Sequence, residues 1–387
     1  MNRTDATDAR WMARALELAR RGLYTTHPNP RVGCVLVHDG RMVGEGWHER
    51  AGEPHAEVNA LRAAGEQARG ATAYVTLEPC SHQGRTGPCA RALVEAGVAR
   101  VVVAMRDPNP AVSGRGLRIL EQAGITVECG LMAEEATALN PGFIKRMAHS
   151  LPFVRLKMAM SLDGRTAMAS GESQWITGAA ARGWGQRLRA QSSAILSGVD
   201  AVSMDGSRLT VRQPALIEAG LSEEAARAAA HDQLLRVVVD STLRLSPQAP
   251  MLAEPGRTLV ATLVDDPGRQ APLREAGAEL IVLPAREGRV DLMALMRQLV
   301  EQEACNELLL ESGPGLAGAM LAAGLVDELK LFMAPTLLGS DARGLLNLPG
   351  LERMDQQQTL VIDDIRAVGD DWCITARPCR AATGAVN

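Results

Sequence analysis

The sequence predicts an α/β protein built as two domains in tandem. Three observations predict it. Strand-like and helix-like segments alternate over residues 73–129, the alternation resumes from residue 153, and Pro and Gly cluster between the two series at Asn140-Pro141-Gly142 and Ser150-Leu151-Pro152. Alternating elements argue a layered α/β sheet, and Pro/Gly clusters mark linkers. The chain has 387 residues and is 46% hydrophobic, so each half can bury a core of its own. We place a front domain at 1–146, a back domain at 151–380 and a short tail, expected to be mobile, at 381–387.

The first helix is expected after Asp8, where Met12, Leu16 and Ala19 share a face. Arg20-Arg21-Gly22 ends it with late-turn cations and a glycine stop. RVGCVLVHDGRMVGEGW then reads as two strands around Asp39-Gly40, a two-residue hairpin signal. A helix over 56–67, a strand at 73–77, a helix at 90–96, a strand at 100–105, a helix at 116–123 and a strand at 125–129 complete the front series. In the back series, strands are expected at 153–160, 194–197, 235–240, 258–263, 279–283, 307–310 and 327–333. TLVIDDIRAVGDDWCITARP reads as a closing hairpin.

Composition excludes several functions. Net charge is −4 with both signs interspersed, so there is no basic stripe for nucleic acid. Aromatic residues make up 3%, too few for base-stacking platforms. No apolar run approaches the roughly 20 residues that cross a bilayer. The N-terminal stretch has Asp and Arg scattered through it and lacks a signal-peptide core, so a cytoplasmic location is expected. Seven cysteines, an odd number, favour metal binding or simple burial over a disulfide framework.

The front half contains PHAEVNAL, with His55 and Glu57, and LEPCSHQGRTGPC, with Cys80 and Cys89. A lone His is usually structural, and a lone Cys is usually a small buried hydrophobe. The joint pattern changes the odds. One imidazole and two thiolates leave the fourth corner of a zinc tetrahedron open for water, as in a catalytic site. Zinc lowers the pKa of bound water to about 7. Glu57, two residues past His55, can reach that water without ligating the metal and can carry its proton. Zinc deaminases use such an H-x-E element with a later P-C-x-x-C. Pro79-Cys80 fits, but SHQGRTGP separates the cysteines where two residues are usual. His82, in that spacer, is either a substrate contact or a loop residue. Cys34 and Cys129 read as core, and Cys305, Cys373 and Cys379 lack metal-like grouping. Asn29, in a turn before a strand, can hydrogen-bond a pyrimidine edge or simply build the turn.

The long spacer and the element Thr26-His27-Pro28-Asn29-Pro30-Arg31-Val32-Gly33-Cys34-Val35 resemble the deaminase domain of the bifunctional riboflavin-biosynthesis deaminase/reductase family. The resemblance runs through most of 7–146. It implies a three-layer αβα cytidine-deaminase-like domain that binds Zn2+. Lys157-Met158-Ala159, Ser161-Leu162-Asp163-Gly164 and Gly171-Glu172-Ser173-Gln174-Trp175-Ile176-Thr177 resemble the same family's reductase domain, over about 151–378. That implies a dihydrofolate-reductase-like fold using NADPH.

The strand Asn306-Glu307-Leu308-Leu309-Leu310-Glu311-Ser312 runs into Gly313-Pro314-Gly315-Leu316-Ala317-Gly318, formally G-x-G-x-x-G. A Rossmann reading needs a carboxylate at the end of the next strand. That strand ends Leu331-Phe332-Met333-Ala334-Pro335, so we reject it. Exposed backbone N–H groups at a helix start still suit a pyrophosphate, with a purely structural tight turn as the alternative. The resemblance implies that Ala159, Trp175, Asp205, Ser241 and Gly313 through Ala319 line the NADPH site. It implies that Ser173, Arg189, Leu209, Arg212 and Glu311 line the substrate site. Arg189 and Arg212 are expected to hold the phosphate by paired hydrogen bonds. Lys157, a charge in a hydrophobic strand, is expected to face the sugar; Trp175 reads equally well as core. The family pattern GxxTVxxDDPxLTxR departs here at Ala201, Gly206 and Ser207, and the glycine is expected to loosen that loop.

The expected reactions, implied by the resemblance, are hydrolytic deamination of 2,5-diamino-6-(5-phosphoribosylamino)pyrimidin-4-one and NADPH-dependent reduction of its ribosyl group to ribityl, in a homo-oligomer. One rival reading is a zinc base or nucleotide deaminase fused to an unrelated nucleotide-binding domain. The wide cysteine spacing and acidic balance speak against it. Another is a structural zinc beside a nucleotide sensor, which three ligands and a poised Glu57 disfavour.

Overall fold

The computed structural model describes residues 3–81, 87–110 and 112–379; the tail at 381–387 and His82 lie outside them. The chain divides between Ser150 and Leu151 into two compact units. The first contains α1 (Arg3–Arg20), β1 (Gly33–His38), β2 (Arg41–Trp47), α2 (Ala56–Ala64), β3 (Thr72–Val75), α3 (Cys89–Glu95), β4 (Arg100–Val103), α4 (Arg115–Gln122), β5 (Thr126–Cys129), α5 (Ala133–Leu139) and α6 (Pro141–His149). Its sheet runs β2-β1-β3-β4-β5. β1 is antiparallel to both neighbours, and β3, β4 and β5 are parallel.

Both faces of its central strands are covered, which is why β1, β3 and β4 are mostly apolar and buried. Successive side chains point to opposite faces. Cys34 and Leu36 of β1 join Ala60, Leu93 and Leu120 from α2, α3 and α4. Val35 and Val37 join Met12, Leu16 and Leu139 from α1 and α5. The result is the three-layer αβα sandwich. α2 lies very close to β2: a methyl at Gly44 or Gly46 would sit 2.4 or 2.5 Å from backbone atoms of Ala60. Those two glycines let the helix descend onto the sheet, and His55 at its start reaches Cys80 in the loop after β3.

Two expectations change here. α1 begins at Arg3, so Asp8 lies inside the helix. Its buried carboxylate accepts from Tyr74 Oη and Arg100 Nη2, both at 2.6 Å. Those partners come from β3 and β4, out of reach of any local signal. Asn140-Pro141 is a helix start: Pro141 opens α6, where its missing N–H costs nothing. The helix runs through His149 and ends at Ser150, in the left-handed region at φ 53°.

The second unit contains β6 (Phe153–Ser161), β7 (Arg165–Ala167), α7 (Ala179–Ala190), β8 (Ala194–Gly198), α8 (Val199–Asp205), α9 (Gln213–Glu218), α10 (Glu223–His231), β9 (Leu235–Val239) and β10 (Thr258–Thr262). There follow α11 (Pro267–Glu275), β11 (Glu279–Val282), β12 (Ala285–Arg286), β13 (Arg289–Val290), α12 (Leu292–Glu303), β14 (Glu307–Leu310) and α13 (Pro314–Ala322). β15 (Glu328–Ala334), β16 (Arg343–Gly344), β17 (Leu360–Val368) and β18 (Asp371–Pro378) complete it. The main sheet runs β11-β10-β9-β8-β14-β6-β15-β18-β17. The first seven strands in that order are parallel, and the last two form the expected antiparallel hairpin.

β6 alternates cleanly. Val154, Leu156, Met158 and Met160 enter the main core with Leu308 and Leu310 of β14. On the opposite face Arg155 pairs with Glu307 of β14 and Glu328 of β15. That buried triad ties three central strands in register. β14 lies between β6 and β8, so the chain reverses its direction across the sheet there. The carboxyl ends of strands at such a switch point form the crevice where ligands bind. Among the described residues, no helix is long and apolar enough to cross a membrane.

Candidate active sites

In the first unit, three elements converge. His55 is the residue before α2, Cys89 is the first residue of α3, and Cys80 lies in the loop after β3. His55 Nδ1 lies 3.3 Å from Cys89 Sγ and 3.6 Å from Cys80 Sγ. Zinc–nitrogen and zinc–sulfur bonds at a tetrahedral angle put N and S about 3.6 Å apart, so the triangle fits the ion. All three ligand atoms lie within 4.8 Å of one another, and among the described residues no fourth His, Cys or carboxylate joins them.

The protein prepares the sulfurs for a cation. The thiol and the backbone N–H of Cys89 both point at Cys80 Sγ, the latter at 3.3 Å, and with His55 they pull the Cys80 thiol down to about 4 despite its burial. Cys89, whose proton is held between Cys80 and Glu57 in a buried place, is pushed up. The pair therefore releases its first proton from Cys80. Glu57 stands outside the triangle, 3% exposed, with its carboxyl facing Cys89. Burial, then the charge of Cys80, pushes the Glu57 carboxyl up to about 7. A cation in the triangle would draw it back down.

Asn29 belongs to the same place. Its Nδ2 donates to His48 Nε2 at 3.0 Å, and His48 Nδ1 donates to the Pro54 carbonyl at 3.2 Å. The His48 ring meets His55 edge-on, with centroids 5.4 Å apart. His48 escaped the sequence reading because a histidine following a strand carries no local signal. Glu78, also missed, is buried; its carboxylate accepts from the backbone N–H groups of Asp107, Gly114 and Gly116. It anchors the chain next to Pro79-Cys80.

The second unit has a cavity of about 1050 Å³ at the carboxyl ends of β6, β8, β9 and β14. Lys157, Ala159, Ser173, Trp175, Arg189 and Asp205 line it, as do Leu209, Arg212, Ser241 and Glu311. From the glycine loop, Gly313, Pro314, Gly315, Leu316 and Ala319 line it as well. Ala317 and Gly318 do not: Ala317 is in the core, and a methyl on Gly318 would meet the Asn347 carbonyl oxygen at 2.0 Å. Helix periodicity turns those two residues inward. Gly313 and Gly315 have open space around them, so their backbone can approach a ligand at the start of α13.

Two details differ from the sequence reading. The Arg189 fork is committed to Glu311, with Nε–Oε1 at 2.9 Å and Nη2–Oε2 at 2.8 Å, leaving Arg212 as the freer cation. Trp175 is 70% exposed, with the Arg182 guanidinium 4.7 Å from its ring centroid, so it is not core. Gly206 uses its conformational freedom as the left-handed cap that stops α8, at φ 56°. Lys157 sits beside Glu311 and Arg189 and over the Phe332 ring. Burial lowers its pKa and Glu311 opposes that shift. Burial alone would raise the Glu311 carboxyl, but Arg189 and Lys157 outweigh it. Further arginines on the wall, Arg182, Arg208, Arg244, Arg289 and Arg343, could not be singled out among 41 basic residues.

Comparison with known proteins matches both units. Residues 5–105 match the cytidine and deoxycytidylate deaminase zinc-binding region, and residues 152–374 match the RibD C-terminal domain. The riboflavin biosynthesis protein RibD of Escherichia coli K12 is 54% identical over 370 residues, 95% of this chain and 98% of that protein. The chain belongs to the RibD family. RibD of Haemophilus influenzae is 46% identical over 96% of this chain and 97% of its own length. The solved structure of Acinetobacter baumannii RibD superposes with a TM-score of 0.88 at 45% identity, covering 97% of this chain and 100% of that one. The deaminase/reductase of Thermotoga maritima gives 0.82 at 30% identity, with the same coverage. RibD membership accounts for both the zinc-type triangle and the glycine-lined cavity in one chain.

Proposed function

We infer that this chain performs two consecutive steps of riboflavin biosynthesis: deamination of 2,5-diamino-6-(5-phosphoribosylamino)pyrimidin-4-one in the first unit, and reduction of the ribosyl group to ribityl in the second. The observation that carries this reading is the three-ligand triangle with Glu57 beside it, in a RibD chain that also holds the Gly313–Gly315 cavity. When bound, zinc supplies a water acidic enough to ionise near neutral pH, and NADPH supplies the reducing electron pair.

The chain's own residues do the rest. His55, Cys80 and Cys89 hold the metal. Glu57 accepts a proton on its carboxylate and returns it to the departing ammonia. His48 orients Asn29, whose free carbonyl oxygen accepts from an amino group on the pyrimidine edge. In the second unit, the backbone of Gly313 and Gly315 at the start of α13 holds the cofactor pyrophosphate, with Leu316 and Ala319 beneath it. Ala159, small and on β6, leaves room for the nicotinamide, and Trp175, Asp205 and Ser241 flank the cofactor. Glu311 and Lys157 face the sugar, Arg189 braces Glu311, and Arg212 takes the phosphate, with Ser173 and Leu209 closing the site.

The test is incubation of the whole protein with the diaminopyrimidine phosphate, zinc and NADPH, following ammonia and NADPH absorbance together. Ammonia should appear first and NADPH loss should depend on it. Ammonia without NADPH loss would favour the rival fusion of a deaminase to an unrelated nucleotide-binding domain. Arg212→Ala should lower the reductase kcat/KM by about 10- to 100-fold, the loss of a charged hydrogen bond, and spare ammonia release. Equal damage to both steps would contradict the division of labour.

The working form is a homo-oligomer in the cytoplasm. None of the seven cysteines is in a disulfide, as suits a reducing compartment. β17 is the edge of its sheet, yet Ile362 is 56% and Ile365 53% exposed, with Leu360, Val361 and Trp372 beside them. A bare apolar edge strand templates pairing with another chain. A second copy is the fitting occupant, because an edge strand can pair with itself across a twofold axis. Ile362→Lys with Ile365→Lys should convert the oligomer to monomer in sedimentation; an unchanged mass would place the interface elsewhere.

A further inference from the structure

We propose that Arg289 and Arg244, assisted by Arg286, form the pocket for the 2′-phosphate of NADPH and set this chain's preference for NADPH over NADH. The proposal rests on the reading that the cavity takes NADPH. The glycine loop leaves β14, and Ser241 follows β9, two strands away through β8. Two strand spacings amount to about 10 Å. A dinucleotide with its pyrophosphate at Gly313 therefore directs one end toward the carboxyl end of β9.

That end of the cavity is rigid and cationic. Asp240, 1% exposed, accepts from the backbone N–H groups of Arg244 at 2.6 Å and Leu245 at 2.7 Å, which fixes the turn after β9. Ser241 Oγ accepts from Val290 N at 3.1 Å and so ties the β12–β13 hairpin to the turn. Arg244 and Arg289 both line the cavity, as do Ser241 and Thr242. Arg244 Nη1 is paired with Asp200 Oδ1 at 2.8 Å. Among the described residues, Arg289 makes no ion pair.

Arg286 stands directly opposite Arg289 in register, and both are exposed. Like charges facing each other across strands destabilise a pair, and this ladder is only two residues long per strand. An anion between them converts repulsion into attraction. A phosphate dianion suits two guanidiniums and a serine hydroxyl, since arginine donates paired hydrogen bonds. In dinucleotide sites generally, a carboxylate selects the 2′-hydroxyl and a nearby arginine the 2′-phosphate. Here the nearby carboxylate, Asp200, is already neutralised by Arg244.

The experiment is calorimetric titration of the whole protein with 2′,5′-ADP, 5′-AMP, NADPH and NADH. In Arg289→Ala and Arg244→Ala, both at exposed positions, 2′,5′-ADP and NADPH should weaken by about 10- to 100-fold, as expected for a lost charged hydrogen bond. NADH and 5′-AMP should change by less than about twofold, since they lack that contact. Arg289→Lys should restore part of the loss. Asp200→Asn should tighten 2′,5′-ADP and leave NADH unchanged. Equal loss for NADPH and NADH, or no loss for either, would overturn the proposal, as would weaker NADH binding in Asp200→Asn. If the unaltered protein binds neither dinucleotide, the cofactor reading itself fails, and this proposal with it.

Discussion

Replacing Glu57 by Gln should slow ammonia release by about 10²- to 10⁴-fold, the usual contribution of a positioned acid–base group, while zinc content stays at the parent level. The variant is nearly isosteric, so His55, Cys80 and Cys89 keep their 3.3 and 3.6 Å separations. What disappears is a carboxylate able to accept and return a proton. Folding should not suffer, because a neutral amide costs less to bury than a carboxylate, and Glu57 is 3% exposed. Metal analysis and an ammonia assay on the same preparation decide it. Reduction of separately supplied deaminated substrate should continue. Near-normal ammonia release would remove Glu57 from the chemistry, and loss of zinc would recast it as support for the metal site.

Glu311→Ala should destabilise the second unit by about 3–5 kcal/mol, the cost of breaking a buried ion pair from one side. Glu311 holds both oxygens against the Arg189 fork, and the two side chains are only 15% and 18% exposed. Removing it leaves Arg189 unpaired and Lys157 without the charge that offsets its burial. Lys157 can respond by losing its proton; Arg189 cannot. The reductase step should be lost, while zinc binding and ammonia release persist in the first unit. Hydrogen exchange resolved by unit is the suitable measure, because a chain of two units need not unfold in one transition. Protection of β6 and β14 within 1 kcal/mol of the parent would show that the cations find water in the cavity. Glu311→Gln should resemble the alanine variant, since the missing element is the charge.

Much of the first site was legible because its signals are local. His55 and Glu57 lie at the start of one helix, and Cys80 and Cys89 are nine positions apart, so residue type and short spacing carry the pattern. The Asp39-Gly40 hairpin was legible for the same reason: both residues adopt positive φ, at 48° and 70°, which a two-residue turn requires. Pro141 misled because the same residue breaks one helix and opens another, and only the Asn140 carboxamide, bonded to the Arg31 backbone, shows which. Asp8 misled because its partners lie 66 and 92 residues away.

The second site was less legible, because a cavity is a meeting of strand ends and not a run of sequence. Its glycine loop could be read, but that Gly315 faces the ligand and Gly318 faces Asn347 follows from helix geometry against a neighbour. Whether an arginine serves a ligand or a carboxylate depends on what stands opposite it. Arg189 meets Glu311 from 122 residues away, while Arg289 meets another arginine.

By itself, then, the chain's order of residues determined the two-unit α/β plan, the metal-type ligand set and the RibD kinship, since hydrophobic periodicity and short-range spacing are properties of neighbours in the chain. Only the tertiary structure decided which charges are paired and which are available, because electrostatic energy depends on separation and burial in space, and residues far apart in sequence become neighbours only when the sheets assemble.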